Sequence, residues 1–544
     1  MKKINQKSIG IWRVSVLFLA LAMVLLLPAC QSGRVIVGEE KGLELVVLHT
    51  NDTHSHIAGV DKYGNACFDD ADCTGGMGRI AAAINAAKAE NDNILALDAG
   101  DQFQGSLFYS VNKWAMLAEL DEYMPYDAMT LGNHEFDEGC AVAAAFTQKT
   151  AFPVLAANLK PEKGCPMTEG KTQPYIIREV RGVPVGIIGL ANDEVVDLAA
   201  ACKLTKFENA ATLLPRLVAE LEGQGVQHII VLTHLGLPYD RELARMVDGV
   251  DIIVGGHTHS YLGENSEEGP YPIVEHSPQG QPVLVVTAKR AAVYLGELRV
   301  RFNEAGVPVS WNGEAKELVP SMPTDPQISA LIGKYAATLD EFRSNVIGSH
   351  SLCLADGMDA CREGECLGGM VVADAMLEYG SPYGAEIALL NGGGIRAALA
   401  QGKITRGDLL SMLPFGGTFV LRELTGQEIS DALEHGVSEE NVKSARLLQC
   451  AGLSYVIDPA KPVGKRISDV MVYDSEGKKV SLNVKASYRV VLPSYLARGG
   501  DGYAMLVDGK VIPSGEPMDV DIVEAYLRKN SPLPMPKTER IIWK

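Results

Sequence analysis

Short apolar runs alternate with helical segments between about Leu43 and Val319. The runs LELVVL, NILAL, DAMTL, FPVLAA, VPVGIIGL, HIIVL and DIIVGG have the length and composition of buried strands. The segments RIAAAINAAKAE and ATLLPRLVAELEG instead place apolar residues at helical spacing. Because strands and helices alternate along the chain, the pattern predicts a layered α/β domain.

Prolines and a single helix separate this region from the rest of the chain. The stretch VPSMPTDP precedes the helical segment ISALIGKYAATLDEF. The sequence therefore predicts a first domain over 43–320, a linker helix within 321–344, and a second domain over 345–544. The connector would permit rotation of one domain against the other.

Side chains that commonly bind metals follow five of the predicted strands. In open α/β sheets, sites form outside the carboxyl ends of the strands, where residues from several strands meet. We therefore predict a metal site at this edge, and the strand-end motifs supply these residues: Asp52, His54, Asp101, Asn133, His134, Asp137, His234, His257 and His259.

The ligand types restrict the metal. Oxygen and imidazole ligands without thiolate suit Zn, Mn, Co or Fe. Two such ions, roughly 3.5–4 Å apart, stabilise the attacking and leaving oxygens in phosphoryl displacement, and a bridging carboxylate offsets their repulsion. Asp101, which follows Gly100, is the best candidate for that bridge. Of the other histidines in the first motif, we expect His49 to be inward-facing, and His56 to lie beside the ligands or on the surface.

Three glycine-rich stretches stand out in the second domain: NGGGIR, LPFGGTF and LPSYLARGGDGY. Glycines permit close backbone approach, and the planar fork of Arg396 suits a phosphate. Phe415 and Tyr495 either pack within their own domain or stack on the two faces of a nucleobase. In the second case, Asp501 could accept hydrogen bonds from ribose hydroxyls.

The series D-x-H, GD, GNHE, TH and GHTH resembles the calcineurin-like metallophosphoesterases, and in particular the secreted 5'-nucleotidase/UDP-sugar hydrolase family. The resemblance covers the chain from about Leu43 onward. It implies one metal on Asp52, His54, Asp101 and His259, a second on Asp101, Asn133, His234 and His257, and a catalytic dyad of His134 and Asp137. In the second domain it implies that these residues bind substrate: Arg362, Asn391, Arg396, Phe415, Tyr495 and Asp501.

The resemblance also implies the fold and the reaction. The fold would be a four-layer β-sandwich flanked by helices, with a smaller α/β substrate-binding domain. The reaction would be hydrolysis of nucleoside 5'-monophosphates, with two divalent ions as cofactors and a metal-bound water or hydroxide as the attacking group.

Three alternatives remain open at this level. The same scaffold could hydrolyse nucleotide sugars or dinucleotides such as UDP-sugars and NAD, or act as a 2',3'-cyclic phosphodiesterase. A more distant alternative is a non-catalytic surface protein, although all seven proposed metal ligands and the dyad are present.

The N-terminus and the charge indicate where the protein acts. Basic residues precede the apolar run from Val16 to Leu27, as in a secretory signal, and LLPAC resembles a bacterial lipobox. We expect residues 1–29 to be removed, Cys30 to be lipidated, and 30–42 to tether an exported protein to a bacterial membrane, facing the periplasm or at the cell surface. The net charge of −19 offers no basic stripe for a nucleic-acid polymer.

The ten cysteines are consistent with export, where disulfides form. Cys67 with Cys73, and Cys361 with Cys366, are close enough in sequence to close short loops. Cys165 with Cys202 is a weaker candidate pair, and the pairing of the remaining cysteines stays open.

Overall fold

A computed structural model describes residues 42–544 except positions 63, 65, 194, 196–203, 265, 355, 400, 439–442, 474–477, 515 and 516. The predicted signal, the lipidation site at Cys30 and most of the tether lie outside the described residues. Within the part of the chain that the structure describes, no helix is both long and apolar enough to cross a bilayer.

The first sheet of the N-terminal part is built around the strand Glu44–Thr50. This strand runs parallel to Ile94–Asp98 and antiparallel to Tyr294–Phe302, so the sheet is mixed. In spatial order, its described strands are Pro308–Glu317, Tyr294–Phe302, Glu44–Thr50, Ile94–Asp98, Ala128–Thr130, Val154–Leu155 and Thr172–Gln173.

The second sheet comes from the middle of the same region. Its central strand His228–Thr233 runs parallel to both of its neighbours, so the three carboxyl ends point the same way. In spatial order, its described strands are Ile273–His276, Pro282–Val286, Ile252–Val254, His228–Thr233, Val183–Leu190 and Tyr175–Val180.

The two sheets pack face to face and helices cover their outer faces. Alternate residues of both sheets, such as Val47, Leu97, Ile187 and Leu232, form a shared buried core. The opposite faces pack on two separate clusters that include helical residues. The layers are therefore helix, sheet, sheet and helix, which confirms the predicted α/β sandwich. The flanking helices are Met77–Glu90, Leu107–Asp121, Cys140–Lys149, Ala210–Gly223 and Leu237–Met246.

All seven predicted strands and both predicted helices of this region occur in the structure. The greatest difference is FPVLAA, of which only Val154–Leu155 forms a strand. Pro153 has no N–H to donate to a ladder, although its carbonyl accepts from Met129. A buried apolar run therefore overstates the length of the paired segment.

The connector consists of the helices Pro326–Ala336 and Asp340–Ser344. Asp325 caps the first helix by accepting hydrogen bonds from the N–H groups of Gln327 and Ile328. The helix also contacts the N-terminal part, since Lys334 Nζ lies 2.6 Å from Glu119 Oε1. Helices therefore lie within 321–344, and their role as a linker between two domains stays a prediction.

The C-terminal part, residues 346–544, is a smaller α/β unit. Its main sheet has the spatial order Leu448–Ala451, Ile387–Asn391, Ser487–Pro493, Phe419–Thr425 and Lys510–Ile512. A second sheet has the order Lys479–Ser481, Ile467–Tyr473, Leu453–Ile457 and Ile541–Trp543, and Val346–His350 pairs with Gly402–Thr405. Its described α-helices are Met358–Glu363, Leu367–Gly380, Arg406–Met412, Gly426–Gly436, Ser494–Ala497 and Asp519–Lys529.

The cysteines follow the prediction for the two short loops. Cys67 is bonded to Cys73, and Cys361 to Cys366. The suggested pair of Cys165 with Cys202 is wrong, because the Cys165 thiol is free and buried. Cys140, in contrast, is disulfide-bonded. The Cys140 and Cys165 sulfurs both contact the Thr205 hydroxyl, so the two cysteines are neighbours in the fold. Their positions in the sequence do not show which of them forms a disulfide.

Candidate active site

The loops that follow strands of both sheets meet at one edge of the sandwich. There the backbones of several ligand-type residues have positive φ: 50° at Asp52, 47° at His54, 58° at Asp101, 76° at His257 and 58° at His259. Each such conformation costs roughly 1–3 kcal/mol and persists only where the surrounding fold enforces it. Strain concentrated in these loops is typical of a functional site.

Two glycines allow the loops to approach each other. A Cβ at Gly132 would lie 2.0 Å from Asp101 Oδ1, and a Cβ at Gly256 would lie 2.8 Å from His234 Nδ1. Any larger residue would push the side chains apart. The glycines of the GNHE and GGHTH motifs are therefore required by the closeness of the ligand atoms.

A first group of potential ligands comprises Asp52, His54 and His259, whose donor atoms lie within 4.8 Å of one another. His54 Nε2 is 2.9 Å from His259 Nε2, and His259 Nε2 is 3.3 Å from Asp52 Oδ1. Asp52 and His54 are completely buried.

A second group comprises Asp101, His234 and His257, again with donor atoms within 4.8 Å. His234 Nε2 lies 3.0 Å from Asp101 Oδ2, and His257 Nδ1 lies 3.0 Å from Asn133 Oδ1. The two groups touch, since Asp52 Oδ1 is 3.7 Å from His234 Nε2. The fold thus brings together all seven residues proposed as metal ligands.

The chemistry of this cluster fits divalent cations. The Nδ1 atoms of His54 and His234 face backbone carbonyls, at 3.2 Å from Phe103 O and 2.5 Å from Ala99 O. Donation from Nδ1–H leaves the Nε2 lone pairs directed into the cluster. His234 Nε2 is buried and has no aligned hydrogen-bond partner among the described residues. Burial lowers the pKa of His234, but the charges of Asp101 and Asp52 outweigh it and raise the pKa to about 10, so the site favours a positive charge at Nε2, either as a proton or as a metal ion in its place.

His134 and Asp137 form a pair at the edge of the cluster. His134 Nδ1 lies 2.7 Å from Asp137 Oδ2, which leaves Nε2 for another partner. Burial lowers the pKa of His134, but the charges of Asp137 and Asp101 outweigh it, so the pKa is raised overall. A protonated imidazole beside a metal cluster can stabilise negative charge and donate a proton.

Glu135 is a site residue that sequence reasoning missed. Its buried carboxylate accepts hydrogen bonds from the N–H groups of Asp101, Gln102, Phe103 and Gly132, at 2.7–3.2 Å. It therefore fixes the loop that carries Asp101. The GNHE motif contains Glu135 and could have drawn attention to it. Its role, however, depends on N–H groups that follow a different strand, those of Asp101, Gln102 and Phe103.

Asn51 is a second missed residue. Its Nδ2 donates to Asp52 Oδ2 at 2.6 Å, and its Oδ1 accepts from the N–H of Ala288 at 2.8 Å. Asn51 thus fixes the Asp52 carboxylate and ties the first strand end to the loop after Pro282–Val286. A single asparagine in a loop gives no sequence signal for this.

The C-terminal part places two guanidinium groups against the cluster. Arg396 Nη2 lies 3.2 Å from His54 Nε2, and Arg362 Nη1 lies 3.4 Å from His259 Nδ1. The Phe415 ring stacks on His134 with centroids 5.7 Å apart and lies 5.5 Å from the Arg396 guanidinium carbon. Three of the predicted substrate residues therefore reach the cluster of potential metal ligands and the pair of His134 and Asp137.

The other three predicted substrate residues form a hydrogen-bonded group. Asp501 Oδ1 accepts from the Tyr495 hydroxyl at 2.7 Å, and Asp501 Oδ2 accepts from Asn391 Nδ2 at 2.7 Å. His435 Nε2 lies 2.8 Å from the Asp501 carbonyl and supports its left-handed backbone, with φ 55°. The carboxylate is held as a fixed acceptor with lone pairs to spare.

The two remaining histidines of the first motif, His49 and His56, are both buried. His49 is fully buried and its Nε2 lies 2.7 Å from the Tyr271 hydroxyl, which confirms the inward-facing expectation, and burial lowers the pKa of His49 to about 3. His56 is 3% exposed, so its alternative placement on the surface is wrong.

Family models match both parts of the chain. A model of calcineurin-like phosphoesterases matches residues 45–261, and a model of the 5'-nucleotidase C-terminal domain matches residues 346–508. Together with the geometry above, they define a metallophosphoesterase, which is a metal-dependent phosphoric ester hydrolase.

Relatives narrow this class to one family. The 5'-nucleotidases of Bos taurus and Homo sapiens are each 34% identical to the chain, over 89% and 91% of it and 88% and 90% of their own lengths. The crystal structure of a 5'-nucleotidase precursor from Thermus thermophilus is 35% identical, with a TM-score of 0.83, and the match covers 92% of this chain and 99% of that one. The chain belongs to the 5'-nucleotidase family.

Proposed function

We propose that this protein hydrolyses nucleoside 5'-monophosphates to a nucleoside and phosphate. The observation that carries the proposal is the contact between the two parts of the chain. Guanidinium groups of the C-terminal part lie 3.2 and 3.4 Å from histidines of the metal cluster. A phosphate held by these arginines would therefore lie beside the metal ligands.

Two divalent ions are the proposed cofactors. Asp52, His54, Asp101 and His259 would hold one ion. Asn133, His234 and His257 would hold the other, together with the bridging Asp101. When bound, such ions supply Lewis acidity, a water nucleophile at neutral pH, and positive charge for the attacking and leaving oxygens. The buried, mutually facing donor atoms of the two groups support this assignment.

His134 and Asp137 are the proposed catalytic pair. Asp137 fixes the imidazole orientation through Nδ1, so His134 Nε2 is the atom that would face the substrate. There it would donate a hydrogen bond to a phosphoryl oxygen and then a proton to the departing ester oxygen. The raised pKa of His134 supports this role, because the proton must be present when the leaving oxygen gains charge.

Arg362 and Arg396 are the proposed phosphate ligands. Their Nε atoms are buried and have no hydrogen-bond partner among the described residues. Burial, followed by repulsion from neighbouring arginines, lowers the pKa of Arg362 to about 10 and that of Arg396 to about 9. A dianionic phosphate would relieve this repulsion and supply the missing acceptors.

Asp501, Asn391, Tyr495 and Phe415 are the proposed nucleoside site. Asp501 would accept from the ribose hydroxyls, Asn391 would contact the base, and the two aromatic rings would stack on it. The fixed orientation of the Asp501 carboxylate supports this role, since it is held by donors from two loops.

We expect Asp501→Ala to lower kcat/KM for AMP by about 10- to 100-fold, the range for a hydrogen bond to a charged group. Hydrolysis of an aryl phosphate, which has no ribose, should change less than about twofold. Steady-state kinetics on both substrates test this. Asp508→Ala, a nearby substitution outside the proposed site, is the control for general damage. Equal losses on both substrates would remove Asp501 from the nucleoside site.

A substrate panel tests the function as a whole. Phosphate release is measured from AMP, UMP and an aryl phosphate, with and without Mn or Zn, and products from a UDP-sugar, NAD and a 2',3'-cyclic nucleotide are separated by chromatography. Metal-dependent preference for the monophosphates is the expected result. Activity on the aryl ester alone would contradict the nucleotidase proposal and leave a general phosphoesterase.

We also propose the boundaries and location of the domains. The catalytic domain would span 43–320, the linker helix would lie in 321–344, and the nucleotide-binding domain would span 345–544. The separate sheets on either side of the connector support this division. The lipobox-like LLPAC supports export and a lipid anchor at Cys30. The mass of the N-terminal peptide from membranes would test the anchor.

A further inference from the structure

Arg290 is a third arginine at the site, and no motif in the sequence singled it out. It lies in the loop after Pro282–Val286, a strand of the second sheet. The loop is fixed to the first ligand loop, because the N–H of Ala291 donates to the Asp52 carbonyl at 2.7 Å. Ala291 and Ala292 have φ values of 63° and 57°, so the loop is held in a strained conformation.

The Arg290 side chain reaches across to the C-terminal part. Its Nη2 lies 3.0 Å from Asp359 Oδ1, and only 11% of the arginine side chain is exposed. Asp359 belongs to the short helix Met358–Glu363 and precedes Arg362 by one turn, so both lie on the same side of that helix. The ion pair therefore joins the metal-bearing part to the helix that carries a proposed phosphate ligand.

The charges explain why Asp359 is needed there. Arg290 and Arg362 repel each other, and both also act on Arg396. The Asp359 side chain is 61% exposed, and its attraction to Arg290 and Arg362 holds the pKa of its carboxyl below the usual value. Arg362 is also attracted by Asp501 and Asp52, and Arg396 by Asp101 and Asp137, but Asp359 is the carboxylate that forms an ion pair with Arg290.

The neighbouring contacts of Arg362 and Arg396 differ in kind. Arg362 contacts His259, and Arg396 contacts His54. Both histidines are proposed metal ligands and would have another partner once a metal is bound. The Arg290–Asp359 pair ends on no metal ligand, so it can persist in the metal-loaded protein. The Cys361–Cys366 disulfide further ties the short helix to the start of Leu367–Gly380.

We propose that Arg290 and Asp359 are a positioning pair, whose ion pair across the two parts of the chain holds Arg362 at the metal site. This rests on the proposed function, because Arg362 is taken there as a phosphate ligand. Arg290 acts through the helix Met358–Glu363, and the pair forms when the two parts are together as in this structure.

The test is a double-mutant cycle in the full metal-loaded protein. Arg290→Gln and Asp359→Asn should each lower kcat for AMP by about tenfold, with less change in KM. The kcat of the double variant should be no lower than that of the less active single variant, because both changes break the same contact. Arg290→Lys, which keeps the charge, should recover most of the activity. Arg299→Gln removes an exposed arginine paired with Glu297 and is the matched control.

A second measurement reports on the pair without activity. Hydrogen exchange of the backbone amides in 358–363 should be faster in Arg290→Gln and in Asp359→Asn than in the parent or in Arg299→Gln. Unchanged exchange, or losses of activity that multiply in the double variant, would overturn the positioning role. An inactive parent protein would refute the proposed function alone, since the exchange comparison would still decide whether the pair holds the helix.

Discussion

His134→Ala is expected to lower the turnover of AMP by about 10²- to 10⁴-fold, the usual contribution of a positioned acid or base. The metal content should stay at the parent value. The reason is that His134 Nδ1 pairs with Asp137 Oδ2 at 2.7 Å, which orients the imidazole as a proton donor. His134 belongs to neither of the two proposed sets of metal ligands. Steady-state kinetics and elemental analysis of the same preparation measure both quantities.

The alternative is testable because His134 also lies near two ligands. His134, His54 and Asp101 have donor atoms within 4.8 Å of one another, so His134 itself has the geometry of a ligand. Loss of metal in His134→Ala would assign it to that role and contradict the catalytic pair. Asp137→Asn is the companion variant, because it keeps the size of the side chain and weakens only the hold on Nδ1. We expect the turnover of Asp137→Asn to lie between that of the parent protein and that of His134→Ala.

Asp101→Asn is expected to have the other largest effect, a loss of at least about 10³-fold in turnover with loss of bound metal. Asp101 is buried between the two ligand groups, 3.0 Å from His234 Nε2, and is the proposed bridge between two cations. An amide has nearly the same shape but no charge, so it no longer offsets the repulsion between the ions. Metal per chain and kcat are measured together.

The control for this variant is Asp127→Asn. Asp101 Oδ1 accepts a hydrogen bond from the N–H of His134 at 2.9 Å, and Asp127 likewise accepts one from the N–H of Ala96 at 2.8 Å, but Asp127 pairs with Lys88. The Asp127→Asn protein should retain the metal content and the activity of the parent protein. An Asp101→Asn protein that binds the parent amount of metal and turns over AMP normally would rule out the bridging role.

Most of the metal cluster was predictable because strand periodicity and strand ends are local signals. The apolar runs VPVGIIGL and HIIVL, for example, form the strands Val183–Leu190 and His228–Thr233. The carboxyl ends of parallel strands meet at one edge, so polar residues directly after them are predicted to converge. The structure places Asp52 and His234 together although they are far apart in sequence.

The substrate side was less predictable from local patterns. Glycine-rich loops pointed to Arg396, Phe415 and Asp501, but not to their partners. The stacking of Phe415 on His134 joins residues from the two separate parts of the chain. Such a contact depends on how those parts pack, and no local periodicity encodes it.

The sequence by itself determined the strand and helix order, the ligand types, and the two short disulfide loops, because each depends on neighbouring residues. The tertiary structure alone decided the support around them: Glu135 beneath the Asp101 loop, Cys165 left as a thiol, and Arg290 paired with Asp359. These contacts join residues from separate loops and from the two parts of the chain. Their formation depends on side-chain distances and directions that only the packed sheets and helices fix.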